Sequence, residues 1–143
     1  MNDINPVDFT LSQAIEAYKS GQTESAQTLF LKILNSNSDN PDALYFMSMI
    51  DHSAGRTEVA EHRARDLLLQ KPADGKALNL LGTLLMSQGK TDDALQYFEK
   101  GIRNSDSDPV LRINAAICHI GLGQPNIAID ECKKAIDLNP DYT

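Results

Sequence analysis

Glycine recurs as Gly21, Gly55, Gly89 and Gly123, an interval of 34 residues kept without slippage. Alanine keeps the same interval five residues later, as Ala26, Ala60, Ala94 and Ala128. Two residue types held in one register call for like units stacked in tandem, each covering its neighbour's apolar face. The units run 7–40, 41–74, 75–108 and 109–142 after a lead of residues 1–6, so 7–143 reads as one domain. A chain of 143 residues can build a core that needs no disulfide or metal to be stable.

Each unit reads as two helices. Leu, Ala and Ile outnumber Val and aromatics, and such side chains lose little freedom in a helix. Asn40, Asp74 and Asp108 end their units where a side-chain oxygen can cap the next helix, and Pro41 and Pro109 follow at the first helical position. The glycines fall where the first helix stops and turns, a place that favours positive φ. Thr23, Thr57 and Thr91 are expected to cap the second helix, with Glu24, Glu58, Asp92 and Asp93 placing negative charge in its first turn. In the fourth unit Pro125 and Asn126 replace that pair, so its second helix is expected to start one residue differently.

Small residues mark where helices touch. The eighth position of the units is Ala14, Ser48, Gly82 and Ala116, facing the alanine series at the twentieth. Position 24 carries Phe30, Ala64, Phe98 and Cys132, and position 27 carries Ile33, Leu67, Gly101 and Ala135, expected to pack against the following unit.

With these residues in place the chain resembles the tetratricopeptide-repeat family. Gly82, Gly89, Ala94, Phe98, Ala128, Ala135 and Pro140 match the family's G, G, A, F/Y, A, A and P, and Pro72 repeats the terminal proline. The family's Trp at position four is replaced by Thr10, Leu44, Leu78 and Arg112, and its terminal Pro by Ser38 and Asp106 in two units. The resemblance implies an all-α, right-handed α-solenoid of antiparallel helix pairs, whose first helices line a concave ligand groove.

Positions 2, 5, 9 and 12 share one stripe of the first helix and are expected to face that groove. They are Asp8, Leu11, Ile15 and Tyr18; Asp42, Tyr45, Met49 and His52; Lys76, Asn79, Thr83 and Met86; and Val110, Ile113, Ile117 and Ile120. Most of these are apolar, the mark of a binding surface, so an amphipathic helix or an extended apolar segment is the expected ligand. Asp8, Asp42 and Lys76 supply the charge. A further segment of the same protein, or a second copy, would fill the same strip. The carboxylate clamp that some members use on chaperone tails is absent, since its positions read Leu11, Ile15, Phe46, Lys76 and Leu80. The asparagine ladder of sugar-transferase superhelices is also missing, because position six reads Ser12, Phe46, Leu80 and Asn114.

Other classes are disfavoured. Twenty acidic against thirteen basic residues give a net charge of −7, which repels nucleic acid. No apolar run approaches the roughly 18 residues of a membrane span, and no secretory signal opens the chain. Cys118 and Cys132 have no metal-pair spacing and read as packing residues, which with the missing signal favours the cytoplasm. His52 reads as a groove contact, His119 as a satisfied core histidine and His62 as solvent-facing, and no nucleophile, phosphate-loop or dinucleotide motif is present. No catalytic residue, metal or cofactor is expected.

The reading is therefore a protein–protein interaction scaffold or adaptor. Its alternative is an N-terminal recruiting or targeting module of a larger, glycosyltransferase- or sulfotransferase-like protein. At Tyr142–Thr143 the last unit lacks a cover, so Ala135, Ile136 and Leu138 are expected to be exposed, with the chain continuing in a longer protein or copies pairing there.

Overall fold

A computed structural model describes residues 5–105 and 107–141. Residues 1–4 of the lead, Asp106, and the terminal Tyr142 and Thr143 lie outside the described residues. Eight α-helices and no strand occur among those described. The helices are α1 (Pro6–Lys19), α2 (Thr23–Ser36), α3 (Pro41–Ser53), α4 (Thr57–Gln70), α5 (Gly75–Ser87), α6 (Thr91–Asn104), α7 (Pro109–Gly121) and α8 (Pro125–Leu138). They form two compact units, residues 1–70 with α1–α4 and residues 71–143 with α5–α8. Within each, every first helix packs on its own second helix, α2 packs on α3, and α6 packs on α7.

The turn inside each pair is the same four times. Gly21, Gly55, Gly89 and Gly123 have φ between +74° and +79°, a conformation that strains any residue bearing a Cβ. In the first repeat Gly21 N–H donates to Tyr18 C=O at 3.1 Å and Gln22 N–H to Ala17 C=O at 2.9 Å, which closes the helix end with its own carbonyls. The other three turns repeat both bonds.

The caps depart from the expectation in three places. Asn40 Oδ1 accepts from Ala43 N–H at 3.0 Å and Asp108 Oδ1 from Val110 N–H at 2.9 Å, but Asp74 makes no side-chain cap bond. Thr23, Thr57 and Thr91 are the first helical residues rather than caps. Gln22 and Lys90 hold the cap positions of α2 and α6 and make no side-chain cap bond, each being the last of the three residues between the helices of its pair. Pro125 starts α8 at the same position as those threonines, so no one-residue shift occurs. Proline needs no N–H partner there and replaces Thr without moving the helix start.

In residues 1–70 the core joins Ala14, Ala17, Ala26, Phe30, Ile33, Ala43, Met47 and Ile50. Ser48, a small-position residue, is fully buried and its hydroxyl donates to Ala60 C=O at 2.7 Å, so the eighth and twentieth positions touch as the register requires. Phe46 stacks on Phe30 at 5.2 Å and meets Tyr18 and Tyr45 edge-on at 5.1 and 5.3 Å, the offset and T-shaped geometries that ring quadrupoles favour. In residues 71–143 the corresponding core is leucine-rich, with Leu78, Leu81, Leu84, Leu85 and Leu111 buried as well as Phe98.

Two charged clusters sit where the pattern calls for apolar residues. Asp51 is 2 % exposed, and its carboxylate accepts from Arg56 Nε at 2.9 Å and Arg63 Nε at 2.8 Å. Arg112, 8 % exposed at the position of the family's Trp, pairs with Glu131 at 2.8 Å, and Lys134 reaches the same carboxylate at 3.7 Å. Each buried charge is thereby paired, as the large desolvation penalty of a lone one demands.

The last helix corrects two further expectations. Cys132 is exposed rather than packed, because position 24 is covered by the next repeat's first helix, as Phe30 is by α3, and no helix among the described residues follows α8. Ala135 is buried, a single methyl that needs little cover, whereas Ile136 and Leu138 stay exposed as expected.

Candidate functional site

The stripe of positions 2, 5, 9 and 12 has a different character in each unit. On α1 and α3, Leu11, Ile15, Tyr18, Tyr45, Met49 and His52 are half-buried and Asp8 and Asp42 exposed. Leu11, Ile15 and Tyr18 pack against the core cluster, with Tyr18 held to Phe46, so much of this strip belongs to the unit's own packing. His52 Nδ1 is buried without a hydrogen-bond partner.

On α5 and α7 the strip is tied together by side chains. Asn114 Nδ2 donates to Asn79 Oδ1 at 2.7 Å, and Cys118 Sγ lies 3.5 Å from Met86 Sδ. Thr83 Oγ1 donates back to Asn79 C=O at 2.8 Å, which engages its hydroxyl within the helix. Val110 and Ile113 are half-buried, Lys76 is exposed, and Ile117 and Ile120 stand 46 % and 63 % exposed one helical turn apart. Asn114 and Cys118, at positions six and ten, were outside the expected stripe. Their signal was a polar and a soft side chain on a helix otherwise rich in Ile and Ala, which spacing alone does not assign to a partner.

His119 is buried with Nδ1 2.7 Å from Gln124 Oε1, and exposed His62 approaches Asp66 at 3.7 Å. Asp92 and Asp93 lie exposed in the first turn of α6. Burial pushes the Cys118 thiol above its ordinary pKa of 9.0, away from the thiolate form that nucleophilic chemistry uses. Both cysteines are free, and no group of three or more His, Cys, Asp or Glu able to hold a metal occurs among the described residues. Nor is any described helix long and apolar enough to cross a membrane.

Two family models, each of the tetratricopeptide repeat, match residues 53–109 and 85–143. Together with eight tandem helices in one register, they decide the family. This chain is a tetratricopeptide-repeat protein. Solved structures of the same fold cover nearly all of it: Pseudomonas aeruginosa pilF (TM-score 0.87, 18 % identity, 95 % of this chain and 62 % of that one) and MamA of Desulfovibrio magneticus RS-1 (0.83, 15 %, 95 % and 77 %). A thermophilic tetratricopeptide protein of Thermus thermophilus matches likewise (0.81, 20 %, 94 % and 75 %). Among curated proteins, the tetratricopeptide chain is 24 % identical over 111 residues to the inactive repeat-containing thioredoxin TTL3 of Arabidopsis thaliana. It is 30 % identical over 67 residues to the mitochondrial import receptor subunit TOM70 of Saccharomyces cerevisiae. These alignments cover 69 % and 47 % of this chain but 16 % and 11 % of the relatives' lengths. The family supports a protein-interaction scaffold, and the solved structures show its fold.

Proposed function

We propose that this tetratricopeptide chain is a non-catalytic adaptor that captures a polypeptide segment on the first-helix face, chiefly on α5 and α7. The observation that carries the reading is the pair Ile117 and Ile120, left exposed beside half-buried Met86 and Ile113. Covering the open part of both isoleucines would contribute on the order of 2–3 kcal/mol. Met86 adds a flexible, polarisable side chain that adapts to different apolar partners. The ligand is an amphipathic helix or an extended apolar segment, with Lys76 available for an acidic residue on it. On α1 and α3, Tyr45, Met49 and His52 offer a second patch, and Asp8 and Asp42 favour a basic residue there. The same surfaces serve a recruiting module of a larger protein, which the small shares of TTL3 and TOM70 covered by the match favour. Two free cysteines fit a reducing compartment such as the cytoplasm.

The test is site-specific photocrosslinking in the source cells. A photoreactive residue at Met86 is expected to trap a polypeptide, and the same probe at exposed Lys100 on α6 to trap none. Ile117→Glu with Ile120→Glu should abolish the Met86 adduct while leaving the helical circular dichroism unchanged. An adduct that survives both substitutions would move the capture surface elsewhere.

A further inference from the structure

We propose that α8 is a self-association surface, on which a second copy of this chain packs its own α8 antiparallel to the first.

Ile129, Cys132 and Ile136 are all exposed and, spaced by three and four residues, lie on one stripe of the helix. The equivalent face of α2, with Phe30, Ile33 and Leu34, is covered by Ala43, Met47 and Ile50 of α3, and Gly101 of α6 lies against Leu111 of α7. The α8 stripe departs in composition from all of its counterparts. Its first member is Ile129, where the first two repeats carry the polar Gln27 and Glu61 and the third carries Leu95. Its middle member is Cys132, where the same three repeats carry Phe30, Ala64 and Phe98. Each earlier second helix thus keeps a polar residue at the first place, a ring at the middle one, or both. α8 keeps neither. Its stripe is a flatter, wholly apolar seam of the three-four type that pairs helices in coiled coils.

The choice of occupant follows from the other first helices. In α3, Ala43, Met47 and Ile50 are the buried residues that meet the preceding helix, and α1 carries Phe9, Gln13 and Glu16 at the same positions, all exposed. A cleft of about 590 Å³ beside Gln13 and Glu16 is lined by Ser12, Ala17, Ser20, Gln22, Ser25 and Leu29 as well. Docking the α1 of another copy onto α8 would set the Phe9 ring where the repeat contact has the Ala43 methyl, and would desolvate the Glu16 carboxylate beside an apolar stripe. Head-to-tail growth is thus closed, and α8 against α8 remains, an isologous contact that stops at two copies. Antiparallel pairing sets Ile129 opposite the partner's Ile136, and Ile136 opposite the partner's Ile129, with both Cys132 side chains near the two-fold axis. Charge permits the approach: the chain carries −7 overall, but Asp130, Glu131 and Asp137 against Lys133 and Lys134 leave α8 at only −1.

Light scattering at submillimolar concentration tests this. The expected mass is that of two chains, falling to one chain in the Ile129→Asp, Ile136→Asp double variant with its helical circular dichroism unchanged. A short bismaleimide should join two wild-type chains through Cys132, and Cys132→Ser should abolish the joining while the mass stays at two chains. A one-chain mass at every concentration overturns the proposal. So does a two-chain mass that persists in the double variant, which would place the contact elsewhere. So would Cys132 resisting maleimide in the one-chain form of the natural protein, because another segment would then cover the stripe.

Discussion

Gly82 has no side chain because Phe98 fills the space that one would need. A Cβ built there meets the Phe98 ring, with Cζ at 2.7 Å and Cδ1 at 2.8 Å, and the ring is fully buried with no room to retreat. Gly82→Ala gains roughly 1 kcal/mol of helix propensity, but overpacking of a filled core costs about 1–3 kcal/mol. The expected result is a lower denaturation midpoint. Phe98→Leu alone should also destabilise, by leaving a void, yet the Gly82→Ala, Phe98→Leu pair should be more stable than the sum of the two losses predicts. Additive losses in that double-mutant cycle would refute the contact. This residue was legible, since the eighth position is small in every unit and Phe98 is one of two rings at the twenty-fourth. Asp51 and Arg112 were not. Other repeats carry Ala17, Leu85 and His119 at the position of Asp51 and Thr10, Leu44 and Leu78 at that of Arg112, and the partners Arg63 and Glu131 sit on the second helix, 12 and 19 residues away. No local helical spacing marks such a pairing, so nothing in the pattern said that those charges were buried or matched.

At the scale of the element, the glycine and alanine beat located all eight helices, because a left-handed turn residue and a close backbone contact each tolerate few side chains. What the beat left open was which side chain serves each helix start. Asn40 bonds Ala43 N–H, whereas Asp74, the same distance before its helix, bonds none. Asn40→Ala is therefore expected to destabilise by about 1 kcal/mol, the usual worth of a side-chain cap. Asp74→Ala should lose only a few tenths, from the charge at the positive end of the α5 dipole. Urea titrations of the two variants distinguish these outcomes. Equal losses would mean that the caps are interchangeable and the hydrogen bond unimportant. The threonines misled for a related reason. Thr followed by an acid reads as a cap followed by a first turn, but the three-residue turn around the glycine ends on the residue before Thr and makes Thr the first helical residue.

Across the whole molecule, the spacing defined a first-helix stripe but not how much of each stretch the protein keeps for itself. Leu11, Ile15 and Tyr18 are drawn into packing, while Ile117 and Ile120 remain open, and a difference of that kind depends on neighbouring side chains. The two proposed surfaces, α5 with α7 for a polypeptide segment and the outer stripe of α8 for a second copy, use no residue in common. Ile117→Glu with Ile120→Glu should therefore end capture and leave the two-chain mass intact. Ile129→Asp with Ile136→Asp should halve the mass yet leave the affinity for a soluble, single-site fragment of the captured partner unchanged. The same variant should differ on a surface densely coated with that fragment. Two copies joined through α8 engage neighbouring fragments together, and the second engagement is intramolecular, so breaking the pair should weaken apparent binding by at least about tenfold. Biosensor measurements at low and high coating density separate the cases. If the α8 variant binds the dense surface as tightly as wild type, the paired form does not present both capture faces to one surface. If it loses the soluble fragment too, the two surfaces are not independent.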